Sequence, residues 1–359
     1  MLIPRGFAHG FLVLSDEAIF GYKCDNYYSK EHEGGIRYDD AQINITWPEI
    51  ELSYLLSDKD LAQPSSDLIR HMKARKIVVT GANGQLGLEF QKTQDPKLQF
   101  TFLSRDLLDI TNADKVYDTI AQIRPDVLIN CAAYTAVDRA EEEVAQAFKI
   151  NDHGANNLAQ TADRLSAKLI HISTDYVYHI DKEAPLVETD PCNPQGIYGK
   201  SKRAGELSVS SQLENHMILR VSWLYAAQQN NFVKTMLRLG AERDALSVVN
   251  DQIGAPTYAG DLVTAILEII KKNRDVRGIF NYCNAGRTNW CEFAQEIFKQ
   301  AHISCAVSGI TTEAYGAPAP RPLWSVMSTD KISDELGDAI PHWTESLNKC
   351  LNILSQKQA

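Results

Sequence analysis

The sequence contains no apolar run that approaches the roughly 18–20 residues a membrane span requires, so a transmembrane helix is not expected. It has no basic excess either. Lys and Arg number 36 against 46 Asp and Glu, for a formal net charge of −10, which excludes the broad basic face of a nucleic-acid binder. A nucleotide ligand stays open, because a helix N-terminus and a few local cations suffice to hold phosphate. Cysteine is sparse and unpatterned. The seven thiols, Cys24, Cys131, Cys192, Cys283, Cys291, Cys305 and Cys350, form no CxxC pair and no zinc spacing, so a reduced, cytoplasmic protein without a metal site is expected. A secretion leader is not expected: the apolar stretch Gly10–Leu14 runs at once into Asp16 and Glu17, with no basic n-region and no small-residue cleavage site. Internal repeats and low-complexity tracts are absent as well. What remains is an ordinary globular balance, 44% apolar and 23% charged over 359 residues, enough for one large domain or two smaller ones.

The text changes character near residues 63–74, where Gln63-Pro64-Ser65-Ser66-Asp67 reads as a turn or linker. Before it, residues 1–62 read as β: Phe11–Leu14, Ala18–Tyr22 and Ile43–Trp47 are short runs set off by Gly, Asn and Asp, with no helical period. After it, residues 75–359 alternate strands with helices. Candidate strands are Lys76–Thr80, Gln99–Leu103, Asp126–Asn130, Lys168–Ile172, Met217–Val221 and Ser247–Val249, several of them continuous apolar runs. Asp138–Asn151, with its acidic start Glu141-Glu142-Glu143, reads as one of the intervening helices. This pattern predicts an α/β fold of Rossmann type, a doubly wound parallel sheet.

Directly after the first candidate strand comes Gly81-Ala82-Asn83-Gly84-Gln85-Leu86-Gly87, three glycines opening a helix. Such a loop lets main chain approach a pyrophosphate and aims helix N–H groups at it, although the spacing is GxxGxxG and a plain tight turn would look similar. An acid at the tip of the second strand would bind a ribose 2′-hydroxyl and select NAD. Here the strand ends Leu103-Ser104-Arg105, and a guanidinium suits a 2′-phosphate, so NADPH is preferred, with NADH as the alternative and a solvated arginine as the plain reading. Asp109 and Ile110 are placed to flank an adenine. Ala132, Ala133 and Tyr134 follow the third strand, where a cofactor would cross the sheet.

Two further pieces fall at or near strand ends. Thr174 follows the strand Lys168–Ile172, and Tyr198 and Lys202 stand four apart, on one face of a helix. A phenol is a poor acid-base group at neutral pH unless a neighbouring ammonium favours its anion, which is the role read for Lys202. Tyr198 would then protonate a carbonyl oxygen as hydride reaches its carbon, Thr174 would hold that oxygen, and Lys202 would also bind the nicotinamide ribose.

These residues resemble the extended short-chain dehydrogenase/reductase superfamily and, within it, the dTDP-4-dehydrorhamnose reductases, from about Lys76 to the C-terminus. The matching text includes VTGANGQLG (Val79–Gly87), RPDVLINCAAYTAVDRAE (Arg124–Glu141), STDYVY (Ser173–Tyr178), YGKSKRAGE (Tyr198–Glu206), RVSWLY (Arg220–Tyr225), NFVKTM (Asn231–Met236) and VVNDQIGAPT (Val248–Thr257). The resemblance implies reduction at C4 of dTDP-4-dehydro-L-rhamnose by NADPH and a smaller C-terminal substrate-binding subdomain built mainly from about 223–345. It places Val137, Thr174, Trp223 and Arg321 against the sugar nucleotide, with Asp251-Gln252 and Gly254–Thr257 shaping that side. From the residues alone, Trp223 would be read as a core aromatic and Arg321 as a surface arginine. Tyr178-His179 departs from the family's Phe and small residues, and Arg139 stands where Lys is also common; neither touches a catalytic position. Some relatives form homodimers around a magnesium ion held by glutamates, and no ligand for such an ion is assigned here.

The N-terminal stretch resembles a different family, the dTDP-4-dehydrorhamnose 3,5-epimerases, through Ile3–Phe11, Tyr22-Lys23 with Asn26-Tyr27-Tyr28, and Asp39-Asp40 with Trp47-Pro48. It implies part of a cupin-like jelly roll, with an acid tyrosine near Tyr27 or Tyr28 and an aspartate near Asp39 or Asp40. The family's proton-abstracting histidine has no counterpart, since His9 belongs to another motif, so the segment is expected to be inactive as an epimerase. It would be a relic, a piece of a bifunctional fusion, or a docking element. Rival readings of the whole chain are another nucleotide-sugar reductase or epimerase, and a non-catalytic NADP-binding subunit like the regulatory subunit of methionine adenosyltransferase.

Overall fold

The computed structural model describes residues 9–23, 34–49, 53–65, 74–180, 182–272 and 275–356. It divides into two compact units, Met1–Ala74 and Arg75–Ala359.

The larger unit is built on six strands: β1 (Arg75–Thr80), β2 (Leu98–Leu103), β3 (Val127–Asn130), β4 (Lys168–Thr174), β5 (His216–Val221) and β6 (Gly278–Tyr282). All pair in parallel, in the order β6-β5-β4-β3-β1-β2. Successive side chains of a strand alternate between faces, and both faces are buried here. Ile77 and Val79 pack under helices α1 (Gln85–Phe90) and Ala259–Lys271, whereas Val78 packs under α2 (Ala113–Ile123), α3 (Ala155–Arg164) and α4 (Ile197–Gln212). Local chemistry sets the helix ends. Asn112 caps α2 by accepting from the Lys115 N–H at 3.1 Å, Val116 and Ile120 of that helix are buried one turn apart, and Arg124 closes it in a left-handed conformation.

A second apolar cluster gathers Tyr225, Val233, Met236, Phe293, Phe298 and Trp343 from the C-terminal part of the chain. The run Ser247–Val249 belongs there. It lies in a strand, Ala245–Val249, that pairs with Ala306–Ile310 in a separate two-stranded sheet and not with the central six. The sixth central strand is instead β6, whose polar Asn281 obscures it in the sequence; the Asn281 amide is buried, accepting from the Tyr178 hydroxyl and donating to the Leu186 carbonyl.

The helix expected over Asp138–Asn151 is broken. A single turn at Val137–Ala140 and a short helix at Val144–Phe148 lead through a wider turn, Lys149–Gly154, into α3. The acidic run ends one turn instead of starting a helix, and Glu141 is committed elsewhere: its Oε1 accepts the Ile197 N–H at 2.8 Å and so caps α4, whose N-cap Gly196 has no side chain to do so.

In the smaller unit the described residues form one helical turn, Asp58–Leu61, and no strand. The runs read as β leave Ile19, Phe20, Tyr22, Ile43 and Ile45 exposed, since a strand needs a paired neighbour and a face to cover it. Asp39 pairs with Arg37, and the Asp40 carboxylate accepts the Gln42 and Ile43 N–H groups at 3.0 Å. Tyr27 and Tyr28, and most of the 63–74 linker, lie outside the described residues.

Candidate active site

From β1 the chain steps outward to β2 and then returns to β3 on the opposite side of β1, so a crevice opens above their carboxyl ends. The glycine loop lines it. Gly81 has φ +69°, and a Cβ there would sit 2.5 Å from the Ala132 nitrogen; one at Gly87 would sit 2.6 Å from Ala82 Cα. These neighbours are main chain and cannot swing aside, so glycine is required at both. Gly84 begins α1 without a side-chain cap, as a helix end that receives an anion should. The loop is tied down from outside: the Asn83 carbonyl accepts from Gln229 at 2.7 Å and Gln85 Oε1 accepts from Asn231 at 3.0 Å. The Leu86 side chain is buried in the core, so this residue offers main chain to a ligand.

Arg105 stands exposed just beyond β2. Near it, the Thr111 N–H and then the Arg105 charge hold the Asp109 carboxyl below its usual range. The Ile110 side chain turns into the core against Gly154, so it too is left with main chain. Beyond β3, buried Asn130 accepts from the Thr80 hydroxyl at 2.8 Å and the Ala132 N–H at 3.1 Å, and its amide meets His171 Nδ1 at 3.0 Å. Asn151 accepts the Tyr134 N–H at 2.8 Å and donates to the Tyr134 carbonyl at 3.1 Å, fixing the segment with Ala132 and Ala133. This narrow main-chain cradle, with the Arg105 cation just beyond β2, is shaped for the phosphates of a dinucleotide.

Thr174 ends β4, its hydroxyl bonded to Asp175 Oδ1 and near enough to the Tyr198 phenol, on the first turn of α4, to act on its titration. Lys202, one turn on, is buried and donates from Nζ to the Ile172 carbonyl at 2.6 Å. Three of the expected residues therefore converge. Their electrostatics differ from expectation. Burial pushes the Tyr198 phenol up to about 12, with the Thr174 hydroxyl only partly opposing it, and burial pulls Lys202 down to about 8. The ammonium faces a carbonyl, so it does not draw the free phenol towards its anion. The free phenol is therefore protonated at neutral pH.

Asp175, adjoining Thr174, is buried; its Oδ1 accepts from the Thr174 hydroxyl at 3.0 Å, and its Oδ2 has no partner. Burial lifts this carboxyl to about 7, against the hydrogen bond from Thr174. Trp223 is half-buried, not a core residue. Its φ is +46° and its ring stacks on Trp290 at 3.7 Å, with Gly254 packed so closely that a Cβ would lie 2.8 Å from the indole. Arg321 grips Asp138 through two 2.9 Å hydrogen bonds, beside half-buried Val137 and near Tyr176, whose ring meets that of Tyr198 edge-on at 5.5 Å. Asp251 accepts from the Thr312 N–H and hydroxyl, and Gln252 from the Trp290 indole at 3.1 Å. Among the described residues no group of His, Cys, Asp and Glu is placed to hold a metal ion.

The family profile described as "RmlD substrate binding domain" matches residues 75–356, and that of dTDP-4-dehydrorhamnose 3,5-epimerase matches residues 1–67. A dTDP-4-dehydrorhamnose reductase from Sinorhizobium fredii is 38% identical, over 76% of this chain and 96% of its own length. The chain belongs to the dTDP-4-dehydrorhamnose reductase family. A spore coat polysaccharide biosynthesis protein, SpsK of Bacillus subtilis, is 39% identical over 77% of this chain and 96% of its own length. The crystal structure of the Bacillus anthracis reductase in complex with NADP is 40% identical, with a TM-score of 0.75 over 78% of this chain and 99% of that one.

Several residues of this reductase's site escaped sequence reasoning: Asn130, Asp138, Asn151, Asp175 and Trp290. Asp175 was legible as part of Ser173-Thr174-Asp175, but its burial was not. The others signal their roles only through partners distant in the chain.

Proposed function

We propose that this chain reduces the C4 keto group of dTDP-4-dehydro-L-rhamnose to give dTDP-L-rhamnose, with NADPH. The observation that carries this reading is the convergence of Thr174 at the end of β4 with Tyr198 and Lys202 on one face of α4, beside the glycine cradle. NADPH supplies the hydride when bound. Tyr198, kept protonated by burial, donates its proton to the C4 oxygen, and the Thr174 hydroxyl holds that oxygen as its charge develops. Lys202 balances the phenolate left behind and orients the cofactor ribose. Val137, Trp223 and Arg321 bind the sugar nucleotide, with Arg321 exchanging Asp138 for diphosphate oxygens.

Catalysis is assigned to residues 75–359, in the cytoplasm, where NADPH is available and thiols stay reduced. Residues 1–62 are assigned no epimerase turnover: Asp39 and Asp40 are engaged by Arg37 and by the local main chain, and no barrel surrounds them among the described residues. The test is NADPH oxidation followed with a panel of 4-keto-6-deoxy nucleotide sugars. Fastest consumption is expected with dTDP-4-dehydro-L-rhamnose. Retained cofactor with no net consumption would point to an epimerase, and binding without turnover to a regulatory subunit.

A further inference from the structure

Asp251, Gln252 and Gly254 have no part in the proton transfer, yet all three lead to one aromatic pair, Trp223 and Trp290. Gln252 accepts the Trp290 indole N–H at 3.1 Å and donates to the Thr312 hydroxyl at 2.9 Å, which in turn donates to Asp251 at 2.6 Å. The strand Ile253–Gly254 pairs with Thr288–Asn289, directly ahead of Trp290. Asn289 then caps the helix Trp290–Gln300 by accepting the Glu292 N–H at 2.9 Å, and the Phe232 ring packs 4.7 Å from that of Trp290. Trp290 is thus anchored through its indole nitrogen, its main chain and its ring.

Trp223 is held differently. Its left-handed backbone, φ +46°, is a conformation that a bulky residue keeps only where its surroundings impose it. The two rings lie 14° from parallel with centroids 3.7 Å apart, closer than the offset or edge-on arrangements of about 4.5–7 Å that aromatic pairs adopt by themselves. Gly254 packs against Cε2 and Cζ2 of the same indole, where a Cβ would lie at 2.8 Å. Core packing alone does not explain the pair. Tyr225, Phe293 and Trp343 of the neighbouring cluster are buried, whereas Trp223 and Trp290 are both half-exposed. The Trp290 N–H is taken by Gln252, while that of Trp223 donates to no group among the described residues.

We propose that Trp290 is a positioning residue for the sugar side of the site: stacked on Trp223, it fixes that indole in its left-handed backbone so that the uncovered part of the ring meets the sugar. The inference rests on the reading of Trp223 given above and deepens it. Without the platform, the bound sugar has to order the indole itself, and affinity falls by the cost of that ordering.

The test measures the Kd of dTDP-L-rhamnose by titration calorimetry in NADP-saturated protein, with dTDP as a control that lacks the sugar. Trp290→Leu removes the flat surface, and Trp290→Met replaces it with a flexible chain. In whichever folds, the Kd of dTDP-L-rhamnose is expected to rise about tenfold and that of dTDP to stay as in the parent. Trp290→Phe, which keeps a ring, should recover most of the loss. In a Trp223→Leu background the same replacement should add less than about twofold, because its effect passes through that ring. An equal loss in both backgrounds, an equal loss for dTDP, or no loss where Trp223→Leu alone weakens binding overturns the proposal. Normal binding by Trp223→Leu sinks the reading of Trp223 and the proposal with it. Binding without turnover leaves the proposal standing on its own result, while the catalytic reading fails separately.

Discussion

Replacing Asp175 by Asn removes the charge of a buried carboxyl without changing its shape. In the native chain this group is lifted from 3.8 to about 7, chiefly by burial. Between those values the folded protein holds a proton that the unfolded chain has released, so stability falls as pH rises from about 4 to 7 and stays lowered above. A shift of about three pH units at ~1.4 kcal/mol each bounds the penalty at about 4 kcal/mol. The variant escapes that penalty but loses about 1–2 kcal/mol with the charge-assisted bond from Thr174, leaving a net gain of about 2–3 kcal/mol at pH 8. For a unit of this size that raises the unfolding midpoint by roughly 5–10 °C at pH 8. Near pH 4 the gain is absent. Thermal unfolding of parent and variant across this range measures the difference. Parallel stability curves would show that Asp175 carries no such penalty and that the site is wetter than its geometry indicates.

Tyr198→Phe is expected to lower kcat by about 10²–10⁴-fold while NADPH still binds, and near-normal turnover would remove the phenol from the proton path. Arg105→Asp should shift preference from NADPH towards NADH through repulsion of the 2′-phosphate; an unchanged ratio of kcat/KM values would take Arg105 out of the cofactor site. Gly81→Ala adds a Cβ 2.5 Å from the Ala132 nitrogen at φ +69°, costing about 1–2 kcal/mol in backbone strain alone. Its NADPH Kd, read by fluorescence titration, should rise tenfold or more, and an unaltered Kd would mean that the two loops do not form the cradle.

Local pattern was enough for much of this protein. Apolar runs such as Ile77–Val79 announce strands buried on both faces, glycines after β1 announce a close approach of main chain, and a spacing of four puts Tyr198 and Lys202 on one helix face whatever surrounds them. These properties depend on a few bonds of backbone geometry, and a short window of sequence contains them. Other features wait for elements far apart to meet. Glu141 looked like a helix start until α4 brought it an uncapped N–H from 56 residues away. The strand around Asn281 was hidden because its amide is satisfied by Tyr178 and Leu186, 103 and 95 residues earlier. The titration of Tyr198 and Asp175 escaped a local reading for the same reason. Solvation and hydrogen-bond satisfaction are set by everything that closes around a group, and only the folded chain brings that together.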